Sequence, residues 1–330
     1  MKLKDFDYNL PKKLIAQKPL HKRDSSRLMV ASKYKIERKT FSDIADYFSK
    51  GDVLVFNDSR VFPAKLIGRK ETGGIVKILL IKKINDLLWE CLAQGRNFDN
   101  KKIIFSNNLC GTIKTSQRDK NQNISFSKNI DKLIFKIGKS PLPPYIKEDA
   151  SLERYNTVYA ETDGSIAAPT AGLHFTPELI NKLKNKGVTI VAVTLHVGLG
   201  TFLPVKEEKI ENHRIHSEFF SISKNSAKKI NERKGKLFVV GTTAIRALES
   251  SVRNNKVIPA AKETDIFIYP GYKWKLRYGG MITNFHLPKS TLLMLVSAFL
   301  SKKRIFELYN EAIKERYKFY SFGDCMLLLQ

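Results

Sequence analysis

The sequence predicts an α/β fold in which a three-layer-like α/β domain, built from both chain ends, is interrupted by a small inserted β-barrel. Two patterns predict it. Helical and strand-like segments mix in residues 1–60 and alternate in 148–330, whereas the segment between consists of short strands separated by turns. A chain of 330 residues also exceeds what one hydrophobic core usually supports. We therefore expect an α/β domain at 1–60 and 148–330 and a barrel domain at 61–147.

The first part of the α/β domain is expected to end in a buried strand at 52–56, followed by a turn at 57–60. Barrel strands are predicted at 75–81, 87–93, 103–105 and 111–114. Prolines at positions 141, 143 and 144 then enforce extended backbone, which is typical of a linker or of re-entry into the first domain.

The second part of the α/β domain alternates helices with strands. Helices are predicted at 177–186, 226–233, 243–253 and 292–300, and strands at 188–194 and 237–240. Thr176 followed by Pro177 is a typical helix start, because a threonine side chain caps the first turn and proline fits the first helical position.

The charge of the chain is strongly positive. Lys and Arg total 58 against 32 Asp and Glu, which gives a net charge of +26. The positive electrostatic field of such a charge attracts a polyanion, so nucleic acid is the first partner to consider. A lysine-rich composition with solvated faces is an equally good explanation. Charge alone therefore does not choose between them.

The cysteines, histidines and apolar segments exclude several classes of protein. The three cysteines are far apart in sequence, so no disulfide framework or cysteine zinc cluster is predicted. His213 and His216 have no acidic or cysteine partner at a zinc-site spacing, so no metal is expected. The longest apolar run, 292–300, is far shorter than the roughly 20 residues that span a bilayer. Without a secretory signal either, the protein is expected to be cytoplasmic, with no membrane partner.

Two loops contain histidines that are candidates for acid/base chemistry. His174 ends the small-residue segment 167–175, and His196 follows a predicted strand. Histidine titrates near neutral pH, and small residues let a ligand approach the backbone. Gly198 and Gly200 permit the positive φ angles of a loop that encloses a nucleoside, but the third glycine of a dinucleotide fingerprint is missing. An ordinary structural loop is the alternative for each segment.

Two further segments are candidate ligand-binding turns. Thr242 and Thr243 lie where a strand turns into a helix, and the free amides of a helix start favour a carboxylate or a phosphate. Asn284 and His286 face the positive end of the helix at 292–300. The alternative for the first segment is a capping turn in which the threonine hydroxyls cap the helix. Because such loops sit where open α/β sheets bind ligands, we expect one site for acid/base chemistry on a small molecule.

Longer blocks of sequence resemble a known family. They include FNDSRVFPA at 56–64, APTAGLHF at 168–175 and VTLHVGLGTFLPV at 193–205. Further blocks lie at 141–146, 240–250, 266–272, 283–299 and 320–326. In this order, and over nearly the whole chain, they resemble the S-adenosylmethionine:tRNA ribosyltransferase-isomerase family of queuosine synthesis. The chain departs from the family pattern at Ser59, Lys65, Lys77 and Cys325, and Lys77 stands where the family more often has an acid.

The resemblance implies an α/β domain with an inserted β-barrel and a specific reaction. The ribosyl part of S-adenosylmethionine would be transferred to 7-aminomethyl-7-deazaguanine at the wobble position of tRNAs with GUN anticodons. Rearrangement would give epoxyqueuosine, with release of adenine and methionine. S-adenosylmethionine would be a consumed substrate, so no cofactor and no metal are implied, and we expect the protein to act as a monomer.

The same resemblance, combined with the loop chemistry, gives the candidate site residues. A sulfonium acidifies the neighbouring 5′ carbon, so a neutral histidine or a carboxylate can remove a proton there, and an acid must then help adenine to leave. His174 and His196 are the leading catalytic candidates. Gly198, Gly200 and Thr201 are expected to line the nucleoside, and Asn284 and His286 to orient the ribose. Thr242, Thr243 and Arg246 are expected to hold the methionine carboxylate or an RNA phosphate. Arg60 and Thr170, within the first two quoted blocks, complete the substrate-binding candidates.

Two other functions are weighed against this one. A non-enzymatic RNA-binding protein would explain the charge and the barrel, but the barrel lacks the interleaved aromatic residues of a base-stacking surface. It would also leave the loop histidines unused. A methyltransferase with the same donor would need a glycine-rich loop after the first strand, and residues 54–58 contain no glycine.

Overall fold

The computed structural model describes residues 1–116, 121–143, 145–146, 150–198, 200 and 205–330. Within them the chain forms a nine-stranded mixed sheet covered by helices and a closed six-stranded barrel. The predicted fold class, α/β with an inserted β-barrel, is confirmed. The domain boundaries at 60/61 and 147/148 stay a prediction.

The strands are β1 Arg27–Ala31, β2 Ile36–Thr40, β3 Val53–Asn57, β4 Ser59–Val61, β5 Lys65–Lys70, β6 Ile75–Lys83, β7 Leu88–Gln94, β8 Lys102–Ile104, β9 Cys110–Thr115, β10 Gln122–Phe126, β11 Thr162–Ser165, β12 Thr189–Leu195, β13 Glu218–Ile222, β14 Leu237–Val240, β15 Val252–Arg253, β16 Lys256–Val257, β17 Ala260–Thr264, β18 Gly280–Asn284 and β19 Cys325–Leu329. The α-helices are α1 Ile134–Ile137, α2 Pro177–Asn185, α3 Lys224–Asn231, α4 Gly241–Ser250, α5 Thr291–Leu300 and α6 Lys302–Lys314. Short 3₁₀ helices occur at Leu3–Phe6, Lys12–Leu14, Arg23–Ser25, Phe41–Tyr47, Thr170–His174 and Ile210–Asn212.

The large sheet is buried on both faces. Its strand order is β17-β13-β12-β3-β14-β18-β19-β1-β2, with β12, β3, β14 and β18 parallel to one another. Successive residues of a strand point to opposite faces. Accordingly, Val53 and Val55 pack into the core that contains α4 and α5, whereas Leu54 and Phe56 pack into the core that contains α2. Two helical layers therefore enclose the sheet.

The barrel is formed by β5 to β10 in the order β10-β7-β6-β5-β8-β9, and pairing of β9 with β10 closes it. Its interior is filled by alternate apolar residues such as Leu66, Ile78 and Ile124. The sequence patterns missed β5 and β10. In both, only two residues point inward, and the rest of the strand is charged or polar except for the exposed Ile67 of β5.

The turn predicted at 57–60 is wrong in part. Ser59–Val61 forms strand β4, which pairs in parallel with β11. The chain can bend between β3 and β4 because the Asn57 side chain substitutes for backbone partners there: its Oδ1 accepts from the N–H groups of Ser59, at 3.1 Å, and Leu195, at 3.0 Å. No helix in the described residues is long and apolar enough to cross a membrane.

Candidate functional site

Three connected cavities lie where the parallel strands of the large sheet end, around Val197, Gly198 and Gly200. The largest, about 790 Å³, separates the barrel from the sheet and is called here the barrel cleft; Trp89 and Lys82 lie on one side, His196 and Phe219 on the other. The second, about 430 Å³ and lined by Arg246, is the Arg246 cavity. The third, about 50 Å³, lies at the start of α4 and is the α4 cavity.

The cavities share wall residues, so a ligand can extend from one to the next. Val197 lines both the barrel cleft and the α4 cavity. Gly200 and His216 line the barrel cleft and the Arg246 cavity, and Leu292 lines the Arg246 cavity and the α4 cavity. Carboxyl ends of parallel strands are where open α/β sheets bind ligands. The geometry therefore brings most of the candidate residues into one composite site.

His196 lies in the barrel cleft at the end of β12. Its ring stacks on Phe219, with centroids 5.8 Å apart and planes 19° apart, and its other side faces the backbone of Gly164. Nδ1 is buried without a hydrogen-bond partner among the described residues, so Nε2 is the nitrogen that a ligand in the cleft can reach. Burial lowers the pKa of His196, while the charge of Asp163 opposes this shift. The imidazole is therefore neutral at pH 7 and can accept a proton.

His174 lies apart from the three cavities, and both of its ring nitrogens are engaged. Nδ1 is 2.8 Å from the Ser26 hydroxyl oxygen, and Nε2 is 3.2 Å from Asn284 Nδ2. Asn284 Nδ2 also donates to the Tyr320 carbonyl oxygen at 3.0 Å. A carbonyl oxygen can only accept, so this contact fixes which amide atom faces His174, and His174 Nε2 is the acceptor. Burial lowers the pKa of His174 to about 4, so the ring is neutral and orients Asn284.

Thr170, Thr242, Thr243, Asn284 and His286 all line the α4 cavity, as expected for parts of one site. The threonine hydroxyls do not cap α4, contrary to the capping interpretation: its N-cap is Val240, which makes no side-chain bond. Instead, Thr243 Oγ1 accepts from Asn57 Nδ2 at 3.1 Å. His286 Nε2 is 2.9 Å from Thr283 Oγ1, and burial lowers the pKa of His286 to about 3. This histidine is therefore neutral too.

Arg246 lies in its own cavity rather than with the two threonines. It forms a buried ion pair with Glu218 through Nη1, and its Nε donates to the Ile266 carbonyl oxygen at 3.2 Å. Nη2 has no partner among the described residues. Glu218 Oε1 also accepts from the Gly198 N–H at 2.8 Å, so the pair holds Gly198, two residues after His196. Glu218 could not be recognised as a site residue from the sequence, because a single glutamate at the start of a strand gives no signal of its own.

One remaining candidate, Arg60, lines none of the three cavities. Arg60 is nearly half exposed and binds Asp163 through two parallel contacts, at 2.6 and 2.8 Å, at the edge of the barrel cleft. The observed partner of Arg60 is therefore Asp163, the acid whose charge acts on His196. Thr201 lies outside the described residues, whereas Gly198 and Gly200 line the cleft as expected.

Asn57 organises the site, although the sequence predicted only that it belongs to a turn. It is fully buried, and its side chain joins the ends of β3 and β12 to the start of α4 through contacts to Leu195 and Thr243. In the described part of the chain, no group of three or more His, Cys, Asp or Glu side chains is placed to hold a metal ion.

Comparison with known proteins gives a consistent result. The profile described as "Queuosine biosynthesis protein" matches residues 3–328. A Thermotoga petrophila protein named S-adenosylmethionine:tRNA ribosyltransferase-isomerase is 48% identical, with all of both chains covered. Proteins of the same name from Acetivibrio thermocellus and Fusobacterium nucleatum are each 49% identical, over 99% of this chain and 100% and 96% of theirs.

The fold agrees with a solved structure. The crystal structure of S-adenosylmethionine tRNA ribosyltransferase from Thermotoga maritima matches with a TM-score of 0.57 and 37% identity, covering 98% of this chain and 100% of that one. Full-length matches to the family profile, to proteins of one name and to this structure agree with the blocks recognised in the sequence. The chain therefore belongs to the S-adenosylmethionine:tRNA ribosyltransferase-isomerase family of queuosine biosynthesis.

Proposed function

We propose that this chain transfers the ribosyl part of S-adenosylmethionine to 7-aminomethyl-7-deazaguanine at the tRNA wobble position. The products are epoxyqueuosine-containing tRNA, adenine and methionine, and the reaction takes place in the cytoplasm on tRNAs with GUN anticodons. S-adenosylmethionine and tRNA are also what the relatives' names imply.

The observation that supports this proposal most strongly is the position of His196. Its neutral ring stands in the barrel cleft, next to Val197, which connects the cleft to the α4 cavity. A donor whose amino-acid end lies in the α4 cavity can place its ribose against His196. A base is needed at that point, because the sulfonium acidifies the hydrogens of the 5′ carbon.

His196, rather than His174, is the base in this proposal. Both imidazoles are neutral, but His174 is committed to Ser26 and Asn284 and lines none of the three cavities. His196 makes no side-chain hydrogen bond within the described residues, so Nε2 can take the proton from the 5′ carbon. His174 acts instead as a positioning residue for Asn284.

The size and charge of the protein suit a tRNA substrate. The barrel cleft of about 790 Å³ is large enough for a nucleoside, since ligand pockets commonly measure about 300–1,000 Å³. The net charge of +26 favours encounter with the polyanionic tRNA, while the reacting base enters the cleft. An exposed Phe135 on the barrel side of the cleft offers it an apolar surface.

The proposal is tested by mass spectrometry of the reaction products. Purified protein is incubated with S-adenosylmethionine and tRNA containing 7-aminomethyl-7-deazaguanine, with tRNA lacking this base as the control. We expect adenine, methionine and epoxyqueuosine-containing tRNA in the first reaction and none of them in the control. S-adenosylhomocysteine instead of adenine would indicate methylation, and an intact donor beside folded, tRNA-bound protein would indicate a binding protein.

A further inference from the structure

The α4 cavity combines three features that bear on the kind of group it can bind. It lies at the start of a ten-residue helix, it contains an unpaired buried acceptor, and its described lining contains no Asp, Glu, Lys or Arg side chain. A helix start alone does not define a ligand. The two other features restrict what can bind there.

The helix start provides hydrogen-bond donors. The first N–H groups of an α-helix have no partner within the helix, and α4 has no side-chain cap. Gly241, Thr242 and Thr243 all line the cavity. Their amides, together with the helix dipole, favour a carboxylate or another anion.

Asn284 provides an acceptor. The residue is 3% exposed, and its Nδ2 is used by the Tyr320 carbonyl oxygen and by His174 Nε2. Its Oδ1 is buried without a partner among the described residues. A buried carbonyl oxygen without a donor costs about 1–3 kcal/mol. The unpaired oxygen therefore points to a ligand group that donates hydrogen bonds.

The absence of charged lining residues restricts the net charge of the ligand. A lone carboxylate or phosphate would enter the cavity without a counter-charge, which is unfavourable in a buried site. A phosphate is better served by the Arg246 cavity, whose lining sets Lys206, Arg214 and Arg246 against Glu207 and Glu218 and so leaves an excess of positive charge. An α-amino-acid group supplies both charges itself: the carboxylate can bind the helix amides and the ammonium can donate to Asn284.

The volume agrees with this group. One water-sized group needs about 10–15 Å³, so the cavity of about 50 Å³ holds about three to five of them. The ammonium, α-carbon and carboxylate of an amino acid are of this size. The connection past Val197 then leads the rest of the ligand toward His196.

We propose that the α4 cavity is the subsite for the α-amino-acid end of the sulfonium donor. The carboxylate accepts from the N–H groups of Thr242 and Thr243, and the ammonium donates to Asn284 Oδ1. This rests on the proposed function, and it gives Asn284 a different role from the ribose contact expected from the sequence.

The test compares three donors on the intact chain by isothermal titration calorimetry: S-adenosylmethionine, its decarboxylated form and its deaminated form. Each truncated donor loses one charged hydrogen-bonding group, so each should bind about tenfold or more weakly than S-adenosylmethionine. Equal affinities of the unsubstituted protein for all three donors would overturn the proposal.

Two substitutions test the two contacts separately: that of the ammonium with Asn284 and that of the carboxylate with the helix amides. Asn284→Ala should weaken binding of S-adenosylmethionine and of the decarboxylated donor, but not of the deaminated donor. Thr242→Pro removes one N–H at a helix position that tolerates proline, and should weaken every donor that keeps its carboxylate. Equal weakening of all three donors by both variants would contradict the assignment. Because each comparison is made between donors on one protein, a partly unfolded sample does not mimic the expected pattern.

The matched control is Asn225→Pro, at the corresponding position of α3, where Asn225 is exposed and lines none of the three cavities. It should bind all donors as the unsubstituted protein does. Adenine release separates the two proposals. Selective donor binding without adenine release on modified tRNA would refute ribosyl transfer alone, whereas adenine release at equal rates from all three donors would refute the subsite alone.

Discussion

Replacing Gly164 by alanine should lower turnover about 10²-fold while leaving the protein folded. Gly164 has a φ of +141°, and a Cβ there would lie 2.8, 2.9 and 3.0 Å from ring atoms Cε1, Nδ1 and Nε2 of His196. Non-bonded carbon contacts are normally about 3.5–4.0 Å, so the ring must move by about 0.5–1 Å. A displacement of about 1 Å at a catalytic group can reduce turnover about 10²-fold.

The positive φ also has a cost that does not involve His196. Holding an alanine in this region destabilises a protein by about 1–3 kcal/mol. Gly73→Ala is the matched control, because Gly73 has a φ of +85° and a Cβ there would meet no atom within 4 Å. Both variants should therefore lose stability, and only Gly164→Ala should lose activity.

The assay is the initial rate of adenine release at saturating donor and tRNA, combined with urea unfolding of each variant. We expect kcat to fall about 10²-fold for Gly164→Ala and to stay at the level of the unsubstituted protein for Gly73→Ala. A folded Gly164→Ala variant with unchanged kcat would refute the placement of His196 as the base.

Three further predictions concern acid stability, the buried ion pair and tRNA affinity. Burial lowers the pKa of His174 to about 4 and of His286 to about 3, so below about pH 6.5 the unfolded chain binds protons that the folded chain does not. Stability should therefore fall as the pH drops from about 6.5 to 4, and a urea midpoint independent of pH in this window would count against neutral buried rings. Glu218→Gln should lower the free energy of unfolding by about 3–5 kcal/mol, because it leaves the charge of Arg246 uncompensated; an unchanged urea midpoint would show that the pair is not needed for stability. The affinity for tRNA should fall steeply with salt, as expected when several phosphates are neutralised, and a flat salt titration in filter binding would argue against a basic docking face.

Local sequence signals located several elements of the structure. Thr176 caps α2 with Pro177 at its first position, as predicted, and Ser290 caps α5. The predicted strand at 237–240 is β14. Such starts and apolar runs depend on neighbouring residues, so they can be recognised without knowledge of the tertiary structure.

The roles of the site residues could not be separated in this way. His174 and His196 each directly follow a leucine, His174 at the end of a 3₁₀ helix and His196 after strand β12, but their partners decide what each can do. The partners of His174 are 148 and 110 residues away in sequence. Nothing local to His174 indicates that Ser26 and Asn284 occupy its two nitrogens.

Tertiary contacts also determine which of the ligand-binding candidates line the same cavity. Thr243 and Arg246 lie one helical turn apart and were expected to hold the same anion. In the structure Arg246 forms an ion pair with Glu218 on β13, whereas Thr243 accepts a hydrogen bond from Asn57 on β3. The two residues consequently face different cavities.

Transfer of isotope from the donor sugar to tRNA tests the central claim most directly. S-adenosylmethionine labelled with ¹³C in its ribose is incubated with the protein and tRNA containing 7-aminomethyl-7-deazaguanine, and the digested nucleosides are analysed by mass spectrometry. Ribosyl transfer predicts that the labelled sugar carbons appear in the modified nucleoside, with an equal amount of free adenine. Adenine release without label in the tRNA, or label retained in an intact adenosyl product, would contradict it.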